Sequence, residues 1–135
     1  MKRLLHAACV VVSVLVAAGC GPTEPLKVET IQLGRGLNPD NSVSGHTTSF
    51  KPLDTMYVSV LTPDKGRGKI GVRWTYEGRV VGEPSKDVVY RDAAATEFHI
   101  QNSSGFPPGN YSVEVFLDGQ SAGKRDYRVE AERQD

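Results

Sequence analysis

The amino-acid sequence predicts an all-β domain, a sandwich or a barrel, over most of its length. Three observations carry this expectation. Beyond Lys27 the apolar residues recur with a period of two rather than 3.6. Short clusters of Gly, Pro, Asn and Asp separate these runs, as turns between strands require. No segment of that region carries the spacing of an amphipathic helix, so helical and mixed architectures are disfavoured.

Residues 69–76, KIGVRWTY, give the clearest strand. Ile70, Val72, Trp74 and Tyr76 face one way, and Lys69, Gly71, Arg73 and Thr75 the other. Residues 110–117, NYSVEVFL, repeat the pattern, with Tyr111, Val113, Val115 and Leu117 inward and Ser112, Glu114 and Phe116 outward. Residues 56–61 set Met56, Val58 and Val60 against Tyr57, Ser59 and Leu61. Phe98 and Ile100 share a face opposite His99, and Tyr127 and Val129 close the series. Shorter β-rich runs occur at 28–33, 79–81 and 87–91. Asp118-Gly119 predicts a two-residue hairpin, because both residues tolerate positive φ. Residues 63–69 and the surroundings of Gly78 read as loops or turns, and residues 106–110, FPPGN, as a stiff lead into a strand.

The N-terminus has a different order. Lys2 and Arg3 precede a run, 4–18, that is apolar except for His6 and Ser13. Ala17, Ala18 and Gly19 are small, and Cys20 follows. A basic start, an apolar stretch of this length and small residues at its end make a secretory signal, and the stretch is short of the ~20 residues that span a bilayer. The terminal cysteine is more specific. "AAGC" resembles the lipobox of bacterial lipoproteins, with Ala17 where Leu is common. The resemblance implies a signal over residues 1–19, cleavage before Cys20, and lipid on the Cys20 thiol as the membrane anchor. Stable anchoring takes more than one acyl chain, which a diacylglyceryl group supplies. Gly21 stands where an Asp marks many lipoproteins for the inner membrane. The implied address is therefore the periplasmic side of an outer membrane, where the cell has one. Residues 20–27, with Pro22 and Pro25, are expected to be an acylated tether. At ~3.3 Å per residue its reach is about 20–25 Å. The domain is expected over 28–131, with a polar tail at 132–135.

Cysteine and charge then narrow the classes. Cys9 lies in the signal and Cys20 carries lipid, so no disulfide is available after cleavage. Loss of Lys2 and Arg3 from 16 basic and 16 acidic residues leaves a slight acidic excess, which gives no footprint for nucleic acid.

Residues 74–81 (WTYEGRVV), 107–119 (PPGNYSVEVFLDG) and 50–60 (FKPLDTMYVSV) resemble the immunoglobulin-like domains of bacterial envelope proteins. In that resemblance Trp74 takes the place of the core Trp of strand C, and Tyr111 that of the tyrosine corner at the start of strand F. Val113 stands at the place of the second core cysteine of antibody domains. The fold implied is a single immunoglobulin-like antiparallel β-sandwich, an architecture that hosts unrelated functions.

Signs of chemistry are sparse. His46 and His99 are the histidines beyond the signal, too few for the three or four ligands of a zinc site, and no metal is expected. No G-x-S-x-G elbow occurs. GRG at 34–36 and again at 66–68 lacks the following helix of a phosphate loop, and both read as turns. No cofactor is expected beyond the covalent lipid. The candidate partner surface is the outward face of the sheet formed by 69–76, 110–117 and 126–130. Lys69, Arg73, Glu114, Phe116, Asp126 and Arg128 lie there, with Arg73 and Glu114 as a cross-strand ion pair. Residues 38–49, NPDNSVSGHTTS, are expected as a long polar loop and a second candidate. The functional expectation is a lipid-anchored, non-catalytic binding or assembly module in the bacterial envelope. Its expected partner is another envelope protein or a cell-wall component. The alternative is a periplasmic or surface enzyme, or an enzyme inhibitor, on the same scaffold.

Overall fold

The alternating runs become two facing sheets in the computed structural model, which describes residues 21–133. The expected signal and Cys20 lie outside the described residues, as do the last two residues of the expected tail. The strands in chain order are β1 (Thr30–Leu37), β2 (Val43–His46), β3 (Ser49–Phe50), β4 (Met56–Thr62), β5 (Gly66–Tyr76), β6 (Arg79–Gly82), β7 (Ser85–Tyr90), β8 (Ala94–Ile100), β9 (Gly109–Leu117) and β10 (Gln120–Val129). One sheet has the order β2-β1-β4-β8. The other runs β3-β10-β9-β5-β6, with β7 beside the first half of β5. Every pairing between strands is antiparallel except β3 with β10. The chain is an immunoglobulin-like β-sandwich.

Period two places the core. Ile31, Leu33, Met56, Val58, Val60 and Phe98 point inward from the four-stranded sheet. Ile70, Val72, Trp74, Tyr111, Val113, Val115, Tyr127 and Val129 meet them from the other sheet. Trp74 and Val113 are fully buried and directly opposed across β5 and β9. At one end Tyr76, Tyr111 and Tyr127 form a row across β5, β9 and β10. Tyr111 stacks on Tyr127 at 5.4 Å and lies 4.7 Å from Tyr76. Phe50 meets Tyr127 edge-on at 5.2 Å. The Tyr111 hydroxyl donates to the Pro107 carbonyl, four residues upstream, at 2.7 Å. This is the tyrosine corner, with Pro107 and Pro108 holding the acceptor in place.

Two tight hairpins follow from residues that accept positive φ. Asp118 (φ 50°) and Gly119 (φ 84°) join β9 to β10, and Glu77 (φ 46°) and Gly78 (φ 79°) join β5 to β6. Left-handed φ at both central residues matches the strand twist of a two-residue hairpin.

Three expected loops differ in the structure. Residues 63–69 are a loop only to Lys65, because β5 starts at Gly66. Both GRG stretches lie within strands, β1 and β5. Their glycines serve close approach rather than turning. A Cβ at Gly34 would stand 2.5 Å from Val43 Cγ1, and one at Gly66 2.8 Å from the Glu24 carbonyl oxygen. Residues 38–49 contain β2, which folds back on β1 instead of forming a free loop. Asp40 Oδ1 accepts from the Ser42 amide at 2.9 Å and from its hydroxyl at 2.5 Å, which shapes the turn. The Ser42 hydroxyl and amide hold the Asp40 carboxyl below its usual range. The hairpin lies over the outer face of its sheet. Val43 is buried there, its amide donates to Gln32 Oε1 at 2.9 Å, and the Ser59 hydroxyl donates to the Asn41 carbonyl. Ser59 is therefore buried although it points away from the core.

Candidate functional site

The outer face of the six-stranded sheet carries Lys69 and Arg73 on β5, Glu114 and Phe116 on β9, and Asp126 and Arg128 on β10. Arg73, Glu114 and Phe116 are brought together. Arg73 faces Glu114 across the strands, and Gly71 faces Phe116. Arg73 Nε donates to Glu83 Oε1 at 2.7 Å, and its Nη1 lies 3.9 Å from Glu114 Oε1. The guanidinium carbon sits 4.7 Å from the centroid of the Phe116 ring. Ser121 Oγ donates to the other Glu114 oxygen at 2.7 Å. The expected Arg73–Glu114 pair is present, and Glu83 makes the shorter contact.

Phe116 lies on the outward face, as its alternation requires. Phe116 is half-buried because the flat guanidinium covers it, a cation–π contact that also hides the ring from water. The remaining residues are spread out. Lys69 lies four residues before Arg73 on β5, about 13 Å away. Its side chain is exposed, and its backbone amide is bound by Asp118 Oδ1 at 2.8 Å. Arg128 sits opposite Asn110 at the other end, with Nε 3.8 Å from Glu130. Asp126 lies 3.9 Å from Lys124.

The histidines do not converge. His46 on β2 and His99 on β8 occupy the two edge strands of the four-stranded sheet. His99 Nδ1 is 2.9 Å from Glu97 Oε2, and its ring lies 5.3 Å from that of Tyr57. Among the described residues no three His, Cys, Asp or Glu side chains come together as a metal would need. A shallow cleft of about 240 Å³ runs between Glu29, the Asp40–Ser42 turn and the start of β8.

The expected tether is folded onto the domain. Leu26 is buried in the core, 3 % exposed. Its amide donates to the Arg67 carbonyl at 3.2 Å, and the Arg67 amide donates to the Glu24 carbonyl at 2.8 Å. Arg67 Nε donates to the Pro22 carbonyl at 2.7 Å. Lys65 Nζ lies 3.7 Å from Glu24, whose carboxyl is held below its usual range by a backbone hydrogen bond and by that ammonium. Packing thus begins before residue 28, the expected start of the domain. The signal for it was the apolar pair Leu26 and Val28, in register with a strand but masked by two prolines. Gly66 has no Cβ to block the crossing segment.

No family model and no curated protein matches the sequence. Solved structures do resemble it. The fold is similar to that of an immunoglobulin-like protein of Pseudomonas aeruginosa, with a TM-score of 0.56 and 11% identity over 82% of this chain and 100% of that one. At this identity the likeness establishes the fold alone. Weaker similarity connects 81% of the chain with 31% of an alkylpurine DNA glycosylase of Pseudomonas fluorescens, at 13% identity and a TM-score of 0.47. Another connects 74% of it with 16% of a β-glucosidase of Listeria innocua, at 11% identity and a TM-score of 0.46.

Proposed function

We propose that this chain is a lipid-anchored bacterial envelope protein whose β-sandwich is a non-catalytic binding or assembly module. The observation that carries the reading is the order of the first twenty residues: Lys2 and Arg3, the apolar run, then Ala17-Ala18-Gly19-Cys20 directly ahead of a β-sandwich. Cys20 bears the lipid in this reading. The membrane is its first partner. The second is another envelope protein or a cell-wall component, held at high local concentration by the shared surface. The periplasmic side of an outer membrane is the favoured address.

The binding face in this reading centres on Arg73, Glu114 and Phe116. Arg73 is held by two carboxylates and one ring, so the cluster presents a preorganised surface at little further entropic cost. Aromatic and Arg side chains are the usual anchors of an interface. The test is crosslinking in living cells followed by purification of the wild-type chain, the Phe116→Ser chain and the Cys20→Ser chain. The reading expects one dominant envelope partner, lost in Phe116→Ser, and release of Cys20→Ser from the membrane fraction. A Cys20→Ser chain that stays membrane-bound contradicts the anchor. A partner profile indifferent to Phe116→Ser and to Arg73→Ala contradicts the face.

A further inference from the structure

We infer that the lipidated chain stands on the bilayer by a fixed pole of the sandwich, with phospholipid headgroups packed against Gly21, Arg67, Val89 and Arg91. The inference rests on the reading that Cys20 carries lipid, and adds the orientation that reading leaves open.

The geometry comes from the folded-down segment. A free tether over 20–27 would let the domain swing at any angle. Here the Pro22 carbonyl is already bound by Arg67, and Leu26 is in the core. Only Gly21 separates the bound Pro22 from Cys20, a span of about 7 Å at most. Gly21 itself lies against the domain: a Cβ there would stand 3.3 Å from Arg67 Nη2 and 3.4 Å from Val89 Cγ1. Gly21, the residue that follows Cys20 in sequence, therefore lies beside the start of β5 and the end of β7, which pair at Gly66 and Tyr90.

That pole suits a headgroup layer. Val89 is 52 % exposed, an apolar side chain with nothing described to cover it. Lys65, Arg67 and Arg91 surround Gly21 there, with long apolar stems that let a cationic end turn to a phosphate layer. Glu24, beside Lys65, shares the pole with Asp64 and Asp92, so the short link rather than net charge sets the orientation. The β5–β6 hairpin at Glu77-Gly78 and the connection from Gln101 to Pro108 lie at the opposite end of the strands. With β5 eleven residues long, that end stands about 30 Å farther from the bilayer. The Arg73, Glu114 and Phe116 face then rises roughly along the membrane normal and is open to a partner from the side.

The experiment uses the full chain, expressed in a bacterium and purified from its membranes. The mass of its N-terminal peptide is recorded first. The protein is then placed in nanodiscs of phosphatidylethanolamine and phosphatidylglycerol that hold a lipid with a gadolinium-chelate headgroup. Paramagnetic broadening of each backbone amide reports its proximity to the surface. The expected result is strong broadening at Lys65, Val89 and Arg91, and little at Glu77, Gly78 and Ser104. Gly66→Ala, which drives a Cβ into the Glu24 carbonyl and frees the segment, should flatten this gradient while the β9 and β10 amides keep their shifts. An unacylated Cys20 overturns the anchor reading and this inference together. An acylated chain with uniform broadening, or a gradient that survives Gly66→Ala, overturns the inference alone.

Discussion

Leu26→Ala removes the side chain that seats the N-terminal segment on the domain. Leu26 is 3 % exposed, within the same core as Trp74 and Val72. The change deletes three carbons, at about 0.8 kcal/mol for each buried methylene, or roughly 2.4 kcal/mol before any cavity forms. Leu→Ala changes in closed cores cost about 2–5 kcal/mol because the void persists. Leu26 lies on a segment outside the strands, which can lift away rather than leave a void. Lifting loses the Leu26–Arg67, Arg67–Glu24 and Arg67–Pro22 hydrogen bonds instead. The expected cost is therefore at the low end, about 2 kcal/mol. The single Trp74, fully buried, reports unfolding by fluorescence. The urea midpoint should fall by about 1 M. Exchange at the Leu26 and Arg67 amides should speed far more than exchange at Val113. A midpoint change near zero, with the Leu26 amide exchanging as before, would refute the seating of the segment and the orientation built on it.

Other contacts carry expectations of their own. Tyr111→Phe keeps the ring stack but leaves the Pro107 carbonyl without its donor, and should cost about 1 kcal/mol in the same urea assay. Gly34→Ala pushes a Cβ toward Val43 and the Gly45 carbonyl. It should loosen the β1–β2 hairpin, measured as faster exchange at the Val43 amide, with the Val113 amide unmoved. Burial pushes the Tyr111 hydroxyl up to about 12 and raises that of Tyr127 further. Both groups stay protonated in the fold above pH 10, where the unfolded chain ionises, so the unfolded state then binds fewer protons. Stability should be flat in these groups below pH 10 and fall as pH rises beyond it, and Tyr111→Phe should weaken the fall. A thermal midpoint unchanged between pH 9 and pH 11.5 would contradict this.

Period two made the strands legible. Ile70, Val72 and Trp74, and Tyr111, Val113 and Val115, turn inward as their alternation requires, because a half-buried strand must sort its side chains by face. Asp118-Gly119 was legible for a different reason, since few residues accept positive φ. What escaped was tertiary. Gly34 and Gly66 look like turn residues in isolation, yet each is small because another segment crosses over it. Leu26 sits between a proline and a lysine, and nothing local shows that Gly66 leaves room for it. The short β3 strand exists only because β10 lies beside it. On the candidate face, alternation correctly turned Arg73, Glu114 and Phe116 outward. It could not foresee Glu83, ten residues beyond Arg73 and past the β5–β6 hairpin, which draws the guanidinium over the ring.

The central claim is that Cys20 is the lipid-bearing first residue of the working protein. Mass spectrometry of the N-terminal tryptic peptide from bacterial membranes tests it most directly, since trypsin cuts after Lys27. The account predicts the peptide CGPTEPLK, beginning at Cys20 and heavier by a diacylglyceryl group, with or without a further acyl chain. A peptide that includes residues before Cys20, or an unmodified Cys20 thiol on protein still held in the membrane, would contradict it.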